Sequence, residues 1–124
     1  MIPPSALKLQ SLAELSKTNL EYTCVNNGYF LDYWGVPKVK SYLQPIILVV
    51  DMQSNVAAIP GSGNVPVAFT HTFNVARYVA ASLDLQKWEK ESYIVGDKVT
   101  WNGFVKIAEA AKGKSPISLL LYCL

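Results

Sequence analysis

A short β-favouring run that breaks at once into a polar, aromatic segment limits the fold more than any other feature. Tyr22-Thr23-Cys24-Val25 carries the aromatic and β-branched residues that suit a pleated, buried surface, and Asn26-Asn27-Gly28 ends it with side-chain amides and a permissive backbone. A strand that ends in such a loop is a usual ligand position in an open α/β sheet. Upstream, Pro3 to Thr18 predicts a helix, with prolines at its entrance and Leu12, Ala13 and Leu15 at helical spacing. Lys17-Thr18-Asn19 supplies a cation and a cap at its end. A helix followed within a few residues by an apolar strand is the second half of a βαβ unit, whose first strand is not among these residues.

The helix raises a question about Lys8, which lies four residues before Leu12 and seven before Leu15 and so shares their face. Either its stem covers apolar surface while the ammonium reaches water, or the lysine is a functional group.

A length of 124 residues suits one domain, 1–124. With 51% hydrophobic and only 16% charged residues, the chain should bury a large fraction of itself or present a partner surface. Its net charge of +2 comes from scattered lysines, which argues against nucleic acid. Met1-Ile2-Pro3-Pro4 lacks a signal-peptide pattern, and no apolar run approaches the roughly 20 residues that span a bilayer, so a soluble, cytoplasmic chain is expected. Cys24 and Cys123 are far apart, without a CxxC, and His71 is the sole histidine, so neither a metal site nor a disulfide framework is expected.

Gly35 to Tyr42 shows no period. Pro45 to Val50 is an apolar run that predicts a buried strand, Asp51-Met52-Gln53-Ser54-Asn55 a turn, and Val56 to Pro60 a second strand, the two forming a hairpin. Gly61-Ser62-Gly63-Asn64 invites comparison with a phosphate loop, yet the third glycine of GxGxxG falls on Pro66 and the segment runs into a strand rather than opening a helix. It is better explained as a tight turn. Val65 to Thr72 predicts a strand and Asn74 to Leu85 a helix with Asn74 as its cap. Glu91 to Gly96 predicts a strand, and Thr100 caps a last helix with Trp101, Phe104, Val105 and Ala108 on its core face, stopping near Gly113. Ser115 to Leu124 predicts an edge strand or an exposed apolar tail.

In this order and spacing, Leu20-Glu21-Tyr22-Thr23, Asn27-Gly28-Tyr29-Phe30-Leu31-Asp32-Tyr33, Ile59-Pro60-Gly61-Ser62-Gly63, Phe69-Thr70-His71-Thr72-Phe73-Asn74-Val75-Ala76 and Ser92-Tyr93-Ile94-Val95-Gly96-Asp97 resemble the middle and C-terminal part of the NmrA-like family. These are atypical short-chain dehydrogenase/reductases related to the isoflavone-reductase-like enzymes, and the likeness is greatest to fungal members. It covers about residues 7–113, with 114–124 a divergent tail. It implies an α/β, partial Rossmann-like fold, the C-terminal half of an NAD(P)-binding fold with a substrate-side β-hairpin insertion. It also implies NADP(H) or NAD(H) as cofactor and a small hydrophobic metabolite, of the kind met in secondary metabolism, as substrate.

Residue by residue, the resemblance gives Lys8 the place of the catalytic lysine, which orients the nicotinamide ribose or donates to substrate; burial of such a lysine would lower its pKa. It sets Asn26, Asn27, Gly28 and Phe30 beside the nicotinamide. Three departures stand out. Pro4 occupies the position of the tyrosine four residues before the lysine, Asn74 replaces the usual aspartate of a helix-start motif, and the glycine-rich dinucleotide turn has no counterpart. About half of the Rossmann-like domain would then be missing, leaving a reductase-type chain weak or inactive on its own.

Two further readings follow from the residues. Lys8, Asp32 and His71 are the available acid/base groups, and Tyr29, Tyr33, Trp34 and Phe30 would line an apolar pocket, as in a cofactor-independent isomerase, cyclase or dehydratase. For His71 the alternative is a histidine hydrogen-bonded at a strand end. A half-sheet with open edges would favour self-association, making the chain a homo-oligomer or a regulatory binding module.

Overall fold

The computed structural model describes residues 4–113 and 116–122; Met1, Ile2, Pro3, Ser115, Cys123 and Leu124, which entered the expectations above, lie outside them. Helix α1 (Pro4–Ser16) leads to strand β1 (Cys24–Asn26), two residues later than the Tyr22 start expected. Strand β2 (Tyr29–Phe30) and the single helical turn α2 (Asp32–Gly35) follow. Next come β3 (Val50–Asp51), β4 (Val56–Pro60), β5 (Pro66–Thr70), α3 (Thr72–Ser82), β6 (Glu91–Tyr93), β7 (Asp97–Thr100), α4 (Trp101–Ala111) and β8 (Ser118–Tyr122). The result is a mixed α/β chain with small sheets and four helices among the described residues.

Three sheets carry it. Strand β1 pairs in parallel with β6; β5 lies between β2, parallel to it, and β7, antiparallel; and β4 lies between β3, antiparallel, and β8, parallel. The hairpin expected after Asp51 is β3–β4, with Val50 opposite Ala57. Its turn is closed by Asp51, whose Oδ1 accepts from the N–H groups of Gln53 (2.9 Å) and Ser54 (3.0 Å). The C-terminal segment forms an edge strand on β4, in register from Val56 opposite Ser118.

The core lies under α4. Trp101, Phe104, Val105 and Ala108 recur at three- and four-residue spacing on one face and are buried with Ala57 and Ile59 of β4, Phe69 of β5, Val50 and Ile117. Alternation along β4 puts Ala57 and Ile59 inward and leaves Pro60 exposed. Thr100 caps α4 as expected, its Oγ1 accepting from Gly103 N–H at 3.0 Å. Gly61 and Gly63, at φ 60° and 70°, form the tight turn that delivers β4 into β5.

Two expectations are corrected. Pro45 to Val50 is not a buried strand: only Val50 joins β3, while Ile46 and Ile47 are exposed. A strand needs a hydrogen-bonded neighbour, and the ladder with β4 ends at Val50. Helix α3 starts at Thr72 rather than Asn74, and its cap is His71, whose side chain accepts from Phe73 N–H.

Candidate functional site

The polar centre of the molecule forms where β2 and β5 end side by side, with Phe30 opposite Thr70. Gly28 makes this possible. Its φ is +67°, and a Cβ there would stand 2.2 Å from the carbonyl oxygen of Ala68, so only glycine lets the chain pass so close to β5. From β2, Tyr29 turns inward and Phe30 outward. Tyr29 packs within a cluster of Trp34, Phe69 and Trp101, with ring centroids 6.3, 6.0 and 5.2 Å away. Phe30 meets Tyr33 edge-on at 6.2 Å.

Immediately beyond β2, Leu31 N–H donates to Thr70 C=O at 3.1 Å, and Asp32 is fully buried. Its Oδ1 accepts from the hydroxyls of Thr72 (2.5 Å) and Ser41 (2.7 Å), and its Oδ2 from Thr72 N–H (2.9 Å). Burial is the largest single influence on this carboxyl and raises its pKa. The bonds from Thr72 and Ser41 together outweigh it and hold the pKa below the ordinary 3.8. The carboxylate also stands at the positive end of α3, where negative charge is favoured.

His71 stands beside it. Its Nδ1 accepts from Phe73 N–H at 3.2 Å, so the proton of the neutral ring is on Nε2. That Nε2 is buried without a hydrogen-bond partner, 3.8 Å from Asp32 Oδ1, and the side chain is only 20% exposed. The pair is therefore an imidazole N–H held near, but not bonded to, a charged carboxylate.

The structure thus brings Asp32 and His71 together. It forms a second pair at the end of β1, where Lys8 Nζ donates to Asn26 Oδ1 at 3.3 Å. The lysine is exposed, its ammonium open to water: Leu12 and Leu15 of α1 are half-buried, but residues 7–11 are all open and no described element covers them. Asn27 Nδ2 donates to Gly28 C=O at 3.2 Å. Tyr33 and Trp34 line a cleft of 570 Å³ against Ile46, Ile47 and Met52, whereas Tyr29 belongs to the core. The Trp34 indole is fixed by donating Nε1–H to the carbonyls of Leu48 (3.2 Å) and Val50 (3.0 Å).

Sequence reasoning missed Ser41 and Thr72. The hydroxyl of Thr72, next to the sole histidine at a helix start, was the available signal; nothing local marks Ser41. Among the described residues no group of three or more His, Cys, Asp or Glu is arranged to hold a metal ion, and no helix is long and apolar enough to cross a membrane.

No family model and no solved structure matches the chain. Its sequence is 45% identical over 117 residues to Oxidoreductase BOA1 of Botryotinia fuckeliana, which covers 94% of this chain and 39% of that protein. It is 35% identical over 91 residues to Oxidoreductase swnR of Arthroderma benhamiae (70% of this chain, 30% of that protein). It is 28% identical over 112 residues to Oxidoreductase swnN of Metarhizium robertsii (86% and 33%). The chain therefore spans well under half the length of the curated relatives it matches.

Proposed function

We propose that this chain forms the substrate and nicotinamide side of an NAD(P)-dependent oxidoreductase of the NmrA-like group, with a partial Rossmann-like fold and a small hydrophobic metabolite as substrate. The observation that carries this is the 45% identity, across 94% of the chain, to a protein named an oxidoreductase.

The residues fit one end of a nicotinamide dinucleotide. The exposed ammonium of Lys8 on α1 and the half-buried amide of Asn26, at the end of the parallel strand β1, suit the hydroxyls of a ribose. Among the described residues the diphosphate end is not matched, because the turn at Gly61 and Gly63 leads into β5 and not into a helix N-terminus. A nicotinamide, when bound, supplies hydride transfer. The chain's own part is to hold the ribose with Lys8 and Asn26 and to seat the apolar substrate on Tyr33 and Trp34. Asp32 acts as a positioning residue, because it is wholly buried and fixes the start of α3.

Saturation-transfer NMR with millimolar NADPH tests this assignment. Nicotinamide and adjacent ribose protons should receive more saturation than adenine protons, and Lys8→Ala should remove the difference. Equal saturation at both ends, or no effect of Lys8→Ala, would contradict it.

The closeness of His71 and Asp32 favours a second reading, a cofactor-independent isomerase or dehydratase with His71 as acid/base and Lys8 assisting. Turnover of a candidate metabolite that survives both His71→Ala and Lys8→Ala would exclude it.

A further inference from the structure

The buried carboxylate of Asp32 ties together two segments that are distant in sequence, 41–43 and the first turns of α3. Ser41 Oγ donates to Asp32 and accepts from Leu43 N–H at 3.2 Å, while Thr72 gives Asp32 two bonds. Between the two segments lies a groove of 310 Å³ lined by Tyr42, Leu43, Thr72, Phe73 and Ala76. The two segments that carry its walls are therefore tied to each other before any ligand arrives.

The lining is apolar apart from the hydroxyl-bearing Thr72 and Tyr42. Tyr42 and Phe73 stand edge-to-face, with centroids 6.0 Å apart and planes at 83°, an arrangement to which a third ring can add at either a face or an edge. The volume is at the small end of the roughly 300–1,000 Å³ common for small-molecule sites, and suits a ligand of one ring.

Charge then selects among such ligands. Lys40 Nζ lies 5.5 Å from the Tyr42 ring centroid and 5.9 Å from that of Phe73, over both aromatic walls. Among the described residues no carboxylate is paired with it; Asp32, the acid beneath the groove, is buried and already accepts three hydrogen bonds. The N–H groups of Thr72 and Phe73 at the start of α3 are engaged by Asp32 and His71, so an anion here would be met by Lys40 and not by the helix end.

We propose that this groove is a binding site for a small aromatic anion, with its ring against Tyr42 and Phe73 and its carboxylate on Lys40. The inference is independent of the oxidoreductase reading, since it uses neither Lys8 nor the Tyr33–Trp34 cleft.

Amide and aromatic NMR shifts of the 124-residue chain, titrated with benzoate, benzyl alcohol and acetate, test it. Benzoate should shift residues 40–43 and 71–76 and bind roughly two- to fivefold more tightly than benzyl alcohol, the range of an exposed ion pair. Lys40→Gln should remove that advantage, and Tyr42→Ala should weaken benzoate about tenfold, as loss of an aromatic contact does. Both side chains are at the surface, with Tyr42 77% exposed, so a well-dispersed spectrum will confirm in the same experiment that each variant folds. The proposal is overturned if benzoate and acetate bind alike, if Lys40→Gln leaves benzoate affinity unchanged, or if these segments do not shift at tens of millimolar ligand.

Discussion

Replacing Asp32 with Asn removes a single charge at the point where β2, the 41–43 segment and α3 meet. The carboxylate offers two acceptor oxygens to three donors, the hydroxyls of Ser41 and Thr72 and the N–H of Thr72. Asparagine offers one oxygen and an NH2 group. With its oxygen toward the hydroxyls, the NH2 confronts Thr72 N–H; flipped, it can donate to the hydroxyl oxygens, but their protons then lose the acceptor that Asp32 provides. No orientation satisfies all three donors. A hydrogen bond to a charged group is worth about 1.5–3 kcal/mol, and a buried donor left unmade costs about 1–3 kcal/mol. Allowing for relaxation of the hydroxyls, Asp32→Asn should destabilise the chain by about 2–4 kcal/mol, which lowers the urea midpoint by about 1–2 M at a slope of about 2 kcal/mol/M. Urea titration followed by tryptophan fluorescence measures this. A midpoint within about 0.3 M of the parent, with unchanged slope, would refute the claim that Asp32 secures this junction. The pH dependence follows the same logic. The folded-state pKa lies below the ordinary 3.8, so the contribution is whole above that value and fades as pH falls through it toward the lowered one. Asp51, lowered by its turn bonds to Ser54 and Gln53, titrates in the same direction, so Asp32→Asn should flatten the acid loss without abolishing it.

Other substitutions probe the elements around the site. Gly28→Ala places a Cβ 2.2 Å from a backbone oxygen at a φ of +67°, so it should separate β2 from β5 and cost more than about 2 kcal/mol in thermal or urea unfolding. Thr100→Ala removes the cap of α4 and should cost about 1 kcal/mol, with Ser at that position restoring most of it. Lys8→Ala, at an exposed position, should change stability by less than about 0.5 kcal/mol, so any larger effect on ligand contact reports function and not folding.

The parts of the fold that could be read from sequence are those set by neighbours along the chain. Thr100 before Trp101, Phe104, Val105 and Ala108 combines a cap with a helical stripe, and the structure follows it residue by residue. Asp51 likewise announces its own turn. Elements decided by distant residues were harder to see. The α3 start moved to Thr72 because Asp32, forty residues earlier, accepts from Thr72 N–H, while the capping side chain is a histidine and not one of the usual short polar residues. The Pro45–Val50 run has strand composition, yet its hydrogen-bonded partner is available only at its end, and Ile47 remains 73% exposed. Asp32 and His71 could each be named as acid/base groups from residue type; that they lie 3.8 Å apart depends on β2 ending beside β5, a pairing that Gly28 permits but does not announce.

The division of labour proposed for this chain, the nicotinamide and substrate side without a diphosphate site of its own, is tested most directly by isothermal titration of the 124 residues with NADPH. No binding in the micromolar range is expected. Micromolar or tighter binding would contradict it, since these residues would then have to hold the whole dinucleotide.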